Sequence, residues 1–116
     1  MANSEFEYEI PALVPMIEIL DVGFKPTFGD IVDIDNLTVR VSNSWMFPIN
    51  SQWAKIIIDG EEVALLLAKP NVELIESQES VEITYDLSFI SSTKGSRVTI
   101  EVELGATRTS RTFDVT

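Results

Sequence analysis

Apolar and polar residues alternate along most of the chain with a period of two, which is typical of half-buried β-strands. The clearest strand is predicted over residues 81–89, followed by strands over 98–104 and 31–42. Their apolar positions are Val81, Ile83, Tyr85, Leu87 and Phe89; Val98, Ile100, Val102 and Leu104; and Leu37, Val39 and Val41. No segment shows a convincing helical spacing, so the pattern predicts an all-β fold.

A separate strand is predicted near the N-terminus, over residues 5–10 within a possible N-terminal unit of residues 1–14. Its apolar face consists of Phe6, Tyr8 and Ile10, and its other face carries three glutamates. Pro11 and Pro15 follow, and each lacks the N–H group that a central strand needs. The sequence therefore predicts a break or an edge position here, with a second strand resuming at residues 16–22.

Turn signals separate the predicted strands. Residues 23–30 contain two glycines and a proline and predict a loop, with Phe24 and Phe28 folded onto the core. Asp59-Gly60 lies between two apolar runs and predicts a hairpin over residues 54–67. Eight or nine short strands with turns every eight to twelve residues indicate a single antiparallel β-sandwich of immunoglobulin-like type, and residues 1–116 form one domain in this interpretation.

Composition removes several classes of function. The chain carries 8 basic and 19 acidic residues, a net charge of −11, and it contains no His and no Cys. The negative electrostatic field of such a chain repels phosphate backbones, so no nucleic-acid partner is expected. Without His, the commonest general base and metal ligand are missing, and no enzyme activity or cofactor is predicted. No apolar run is long enough for membrane insertion. The N-terminus lacks a secretory signal, so the protein is cytoplasmic or has lost its leader.

Acidic residues offer one alternative chemistry. Asp30, Asp33 and Asp35 lie close together in the sequence, and clustered carboxylates are ligands that calcium prefers. Their spacing fails the EF-hand pattern. We favour a solvated strand face, and no metal site is assigned.

Basic residues concentrate at the C-terminal end. Residues 1–93 carry 4 basic and 16 acidic side chains, a charge of −12, whereas residues 94–116 carry 4 and 3, a charge of +1. Arg97, Arg108 and Arg111 are therefore candidates for contact with an acidic protein surface. The alternative interpretation is charge balance between adjacent strands of the same molecule.

An aromatic loop is the most informative apolar feature. Trp45, Phe47 and Trp53 crowd into a segment interrupted by Pro48. Loops at the ends of sandwiches commonly bind partners, and aromatic residues are enriched in interface cores. Such side chains also plug the open end of a sandwich, and we favour this second role. Trp45 and Phe47 are retained as candidates for protein contact.

Three runs of sequence carry a resemblance to known families: VRVSNSWMFPI, IIIDGEEVA and ESQESVEITYDLSF. The pattern over residues 17–90 resembles the water-stress and hypersensitive-response domain of late-embryogenesis-abundant proteins, and also the CARDB-type modules of microbial surface proteins. Ser44 stands where the first family usually has Pro. Both resemblances imply an immunoglobulin-like sandwich with a non-enzymatic role, and the second favours a cell-surface location.

Together these observations predict a structural or protein-binding module of a surface or filament assembly. Self-association is expected to occur by addition of the strand at residues 5–10 to a neighbouring subunit, and ordinary pairing of this strand within its own chain is the alternative. Two other functions stay open: a monomeric stress-protection protein of late-embryogenesis type, and a calcium-dependent adhesion or carbohydrate-binding module.

Overall fold

The computed structural model describes residues 14–64 and 67–116, and within these ranges the chain forms eleven β-strands and one short 3-10 turn. The predicted strand of Phe6, Tyr8 and Ile10 lies outside the described residues. The long strands are β1 (Met16–Phe28), β2 (Ile31–Ser42), β8 (Ser80–Leu87), β10 (Arg97–Leu104) and β11 (Thr107–Asp114). The short ones are β3 (Ile49–Asn50), β4 (Lys55–Ile58), β5 (Glu61–Glu62), β6 (Ala68–Pro70), β7 (Leu74–Ile75) and β9 (Ser91–Thr93).

The strands form two main sheets in which every pairing is antiparallel. The first sheet has the order β1-β2-β8-β6, with β9 extending it beside β2. The second has the order β11-β10-β4-β5. β3 and β7 form a small third sheet at one end of the molecule. These pairings confirm the predicted all-β, antiparallel sandwich. The described residues contain no helix long and apolar enough to cross a membrane.

Buried residues of the two sheets form one hydrophobic core. In β10, every second residue from Val98 to Leu104 is buried, and its polar neighbours face outward. Ile83, Tyr85 and Leu87 of β8 and the alternating residues of β2 meet them from the opposite sheet. Full burial of one such aliphatic side chain contributes about 1.5–3 kcal/mol, so the alternation seen in the sequence is the main source of fold stability.

An irregularity in β2 shifts which residues face the core. Val32 and Ile34 are buried, but from Leu37 onward the buried positions are odd-numbered. The register with β1 jumps between Gly23 and Phe24, which leaves Asp35 as an extra residue in β2. A Cβ atom at Gly23 would lie 2.5 Å from the Asn36 amide nitrogen, so a larger residue here would have to displace the Asn36 side chain.

The prediction of a loop over residues 23–30 is wrong. β1 continues as a strand to Phe28, and the turn is confined to Gly29 and Asp30. Phe24 packs against the core as expected, but Phe28 is exposed. The strand persists because its residues pair with β2 almost to the turn, with small register shifts that accommodate Pro26.

Two further predictions need correction. The Asp59-Gly60 turn is present, with both residues at positive φ, but β5 ends after Glu62, so the strand does not extend to residue 67. Phe89 does not continue the apolar face of β8, because its φ of 61° turns it away from the core and leaves it 93% exposed. Beyond Phe89 the chain forms the short strand β9, which pairs with β2.

Candidate functional site

One end of the sandwich collects exposed apolar side chains. They come from the loop that joins β2 to β4 and from β7, and we call them the apolar end: Trp45, Met46, Phe47, Trp53 and Leu74. Four of these are about half exposed or more, with Met46 at 71%, Phe47 at 54%, Trp53 at 55% and Leu74 at 49%. Exposed apolar side chains that lie together on a soluble domain are a common sign of a contact surface.

Asn43 fixes the start of the loop from inside the protein. This residue follows β2 and is only 2% exposed. Its side-chain amide donates to the carbonyl oxygens of Phe47 and Ile75, both at 2.9 Å, and its Oδ1 accepts from the Trp45 N–H at 2.8 Å. All three hydrogen bonds therefore connect the loop or β7 to the buried side chain of Asn43. The position of Trp45 and Phe47 is therefore set by Asn43.

The turn before β8 holds the same loop from the other side. Ser77 Oγ donates to the Trp45 carbonyl at 2.6 Å, and Gln78 Nε2 donates to the Ser44 carbonyl at 3.1 Å. The backbone N–H of Gln78 donates to the Asn43 carbonyl at 2.7 Å. Both flanks of the loop are therefore hydrogen-bonded, so the backbone that carries Trp45 and Phe47 is held in place.

A second buried anchor lies beneath Trp53. Ser51 is fully buried, and its hydroxyl hydrogen-bonds the carbonyl oxygens of Val72 and Glu73. The hydroxyl of Tyr85 donates to the Ser51 carbonyl at 2.7 Å. Burial raises the pKa of Tyr85 above its ordinary value, so the neutral phenol that donates this bond is retained. The 3-10 turn Ser51–Trp53 is thereby tied to β8.

The two sequence candidates in the loop have different surroundings. Trp45 is partly buried and packs against the core, as a residue that plugs a sandwich end does. Phe47 is exposed and meets Trp45 edge to face, with ring centroids 5.3 Å apart. Within the loop, Trp45 is thus turned to the core and Phe47 is turned to solvent.

Arg97 and Arg108 bond to carboxylates on neighbouring strand positions. Arg97 lies 3.4 Å from Asp114 across the β10–β11 pair. Arg108 bonds Glu101 at 2.6 Å through Nε and lies 3.6 Å from Glu103, and these carboxylates raise its pKa. All the groups lie on the second sheet, which agrees with charge balance within the molecule.

Arg111 joins the two sheets. Its NH1 group donates to the carbonyl oxygens of Ile19 and Leu20, both at 2.9 Å, and its guanidinium lies 4.7 Å from the ring centre of Phe113. The register between β1 and β2 shifts at this point, which leaves Leu20 as an extra residue in β1. Arg111 therefore provides a donor for these two carbonyl groups and links β11 to β1.

The acidic residues near the β1–β2 turn do not converge. Asp33 accepts from Ser91 Oγ at 3.0 Å, and Asp35 accepts from the Asn36 amide at 3.3 Å. Within the described parts of the chain, no group of three or more His, Cys, Asp or Glu side chains is placed to hold a metal ion.

Two open grooves lie away from the apolar end. One of about 330 Å³ covers the outer face of the second sheet, where Lys55 and Arg108 face Glu62, Glu101 and Glu103. Another of about 510 Å³ lies at the opposite end of the sandwich beside Phe89. The first is lined mainly by groups that already pair with one another.

Sequence reasoning missed the acidic surroundings of the apolar end. The side chains of Glu73, Glu76 and Glu79 are exposed; Glu73 precedes β7, and the other two lie between β7 and β8. The signal was present, because the sequence contains no Lys or Arg between residues 70 and 93.

Comparison with known proteins gives no family assignment. No protein-family model, no curated protein and no solved structure matches this chain.

Proposed function

We propose that this protein is a structural or protein-binding module that contacts its partner through the apolar end. The observation that carries the proposal is the combination of exposed Phe47, Trp53 and Met46 with buried anchors beneath them. Removing apolar surface from water contributes about 25 cal/mol per Å², and a loop that is already ordered loses little entropy on binding. Both conditions favour protein contact.

The family-level interpretation has one structural argument in its favour. Asn43 closes the V-x-V-x-N pattern on which the resemblance to the water-stress and hypersensitive-response domain rests, and this residue organises the loop that follows. A pattern position with a buried, three-bonded side chain is one that a fold retains. Membership of that family or of the CARDB-type surface modules, and with it a surface or filament assembly, is a proposal.

Self-association through the strand at residues 5–10 also remains a proposal, since its donor residues lie outside the described ranges. Light scattering of the whole chain and of a variant lacking residues 1–13 tests it. We expect a fall in mass on deletion if the strand joins subunits. An unchanged monomer in both samples contradicts it.

The main test uses affinity capture from the source cells, followed by reconstitution with the captured protein after purification. The loop variant is Phe47→Ser, and the control is Phe89→Ser, which removes a more exposed ring at the opposite end. We expect calorimetry to show at least a tenfold weaker complex for Phe47→Ser and less than a twofold change for Phe89→Ser. Equal affinities for both variants contradict the proposal.

A further inference from the structure

The apolar end is framed by carboxylates that have no counter-charge. Glu73, Glu76 and Glu79, here called the acidic rim, are exposed. Among the residues that the structure describes, none of the three forms an ion pair. The aromatic loop over residues 43–54 contains no charged residue, so nothing on the facing loop balances them.

Five of the eight cations of this chain are engaged by other groups, and Lys25, Lys69 and Lys94 form no ion pair with a described residue. Arg40 bonds Glu18 at 3.0 Å and Glu82 at 2.9 Å, and Arg108 bonds the carboxylates of its own sheet. Arg111 is held by backbone carbonyls of β1. Residues 1–13 and 65–66 contribute no Lys or Arg side chain. No ion pair among the described residues reaches the acidic rim, so its negative charge is available to a cationic group of a partner.

From this arrangement we infer that the partner presents a basic protein surface: an apolar side chain that seats among the aromatic rings, flanked by Lys or Arg that meet the acidic rim. This inference rests on the proposed protein-binding function and names the chemistry of the partner. Arg and Lys also suit the rings themselves, because guanidinium and ammonium groups bind the faces of Trp and Phe.

The negative charge also argues against three other partners for the apolar end: a second copy of this chain, an anionic membrane and a nucleic acid. A second copy brings a net charge of −11, and a two-fold contact through the same surface would place one acidic rim against another. An anionic membrane or a nucleic acid is repelled for the same reason. A cationic protein surface is attracted, and its association rate is raised by the field of the whole molecule.

The chain carries its own reporter for the test. Both of its tryptophans, Trp45 and Trp53, belong to the apolar end, so tryptophan fluorescence reports on this surface alone. The probe is a capped peptide of alternating Arg and Leu, and the comparison peptide has Glu in place of Arg. Neither peptide contains tryptophan. We expect saturable fluorescence change with the basic peptide only, and an affinity that falls as salt is added.

Two triple variants distinguish the effect of the acidic rim on binding from the effect of the net charge of the protein. The rim variant is Glu73→Gln with Glu76→Gln and Glu79→Gln. The matched control is Asp30→Asn with Glu61→Gln and Asp86→Asn, which replaces three exposed carboxylates that form no ion pair within the described residues. Both variants change the net charge from −11 to −8. We expect the rim variant to bind about tenfold more weakly and the control to change less than twofold.

Each result distinguishes this inference from the proposed function. If Phe47→Ser weakens peptide and partner binding but the rim variant binds like the control, the basic-partner inference is wrong while the contact surface stands. If Phe47→Ser has no effect on the captured partner, the proposed function itself fails. No response to the basic peptide, equal binding of the acidic peptide, a concentration-dependent rise in mass that Phe47→Ser abolishes, or sedimentation with anionic vesicles each overturns the inference.

Discussion

Replacing Asn43 offers a quantitative test of how the apolar end is built. The wild-type side chain makes three hydrogen bonds, two as a donor and one as an acceptor, at a site that is 2% exposed. Asn43→Ala removes all three and leaves the Ile75 carbonyl without this donor in the interior. At about 1 kcal/mol for each bond, we expect a loss of about 2–4 kcal/mol in the free energy of unfolding.

Asn43→Asp should make the stability of the protein depend on pH through this same site. The introduced carboxylate keeps the acceptor for the Trp45 N–H, but it places negative oxygen where the amide donates to two carbonyl groups. An uncompensated buried charge costs about 3–5 kcal/mol near pH 7. Burial and the carbonyl oxygens raise the pKa of this carboxyl in the folded state above the unfolded value of about 3.9. Stability is therefore greatest below that value and is lost as the pH rises.

Asn71 supplies the matched control. It is exposed, and its Oδ1 accepts one bond, from the Thr84 N–H at 2.8 Å. We expect Asn71→Ala to cost less than about 1 kcal/mol and Asn71→Asp, which keeps the acceptor, to be close to neutral.

The assay is urea unfolding followed by far-ultraviolet circular dichroism, with unchanged m-values required for comparison. Measurements at about pH 4 and pH 7 give the pH dependence relative to wild type. Equal losses at Asn43 and Asn71 would refute the assignment of Asn43 as the anchor. A destabilisation by Asn43→Asp that does not change with pH would refute the buried-charge reasoning.

Three further predictions concern the framework. Tyr85→Phe removes the hydrogen bond to the Ser51 carbonyl and should lower the free energy of unfolding by about 1–2 kcal/mol near neutral pH. Because burial raises the pKa of Tyr85 in the folded state, the wild-type protein loses this stability as the pH rises above about 10. The difference in urea midpoint between wild type and variant should therefore become smaller above that pH. A gap that stays constant contradicts this. Gly23→Ala should destabilise by about 1–3 kcal/mol through its clash with Asn36, and the added change Asn36→Ala should recover most of the loss in thermal unfolding. Arg111→Met should lower the free energy of unfolding by about 1–3 kcal/mol, because it removes the hydrogen bonds to β1. Arg97→Met loses only an exposed ion pair and should lower it by about 0.5 kcal/mol or less. Equal losses would contradict the assignment of Arg111 as a link between the sheets.

Local alternation predicts β8 and β10 well because both strands have one buried and one exposed face throughout most of their length. It fails where a strand contains an extra residue. The bulge at Asp35 reverses the buried face of β2, and its position depends on pairing with Gly23, a contact that neighbouring residues in the sequence do not reveal.

The apolar end was only partly predictable. The sequence locates an aromatic loop after β2, but it does not say which ring faces inward. That division depends on the bonds from Asn43 to Phe47 and Ile75, and Ile75 lies 32 residues away in the chain. The contacts of Arg111 in the C-terminal hairpin could not be predicted either, because its guanidinium donates to backbone carbonyl groups of β1, which is distant in the sequence.

Amide hydrogen exchange of the free protein tests most directly whether the exposed aromatic residues stand on a rigid platform. The informative amides are those of Trp45, bonded to Asn43, and Gln78, bonded to the Asn43 carbonyl. We expect both to be protected by several orders of magnitude, close to the amide of Ile83 in β8, and to lose that protection in Asn43→Ala. Exchange at the rate of an unstructured peptide in the wild-type protein would contradict a preformed contact surface.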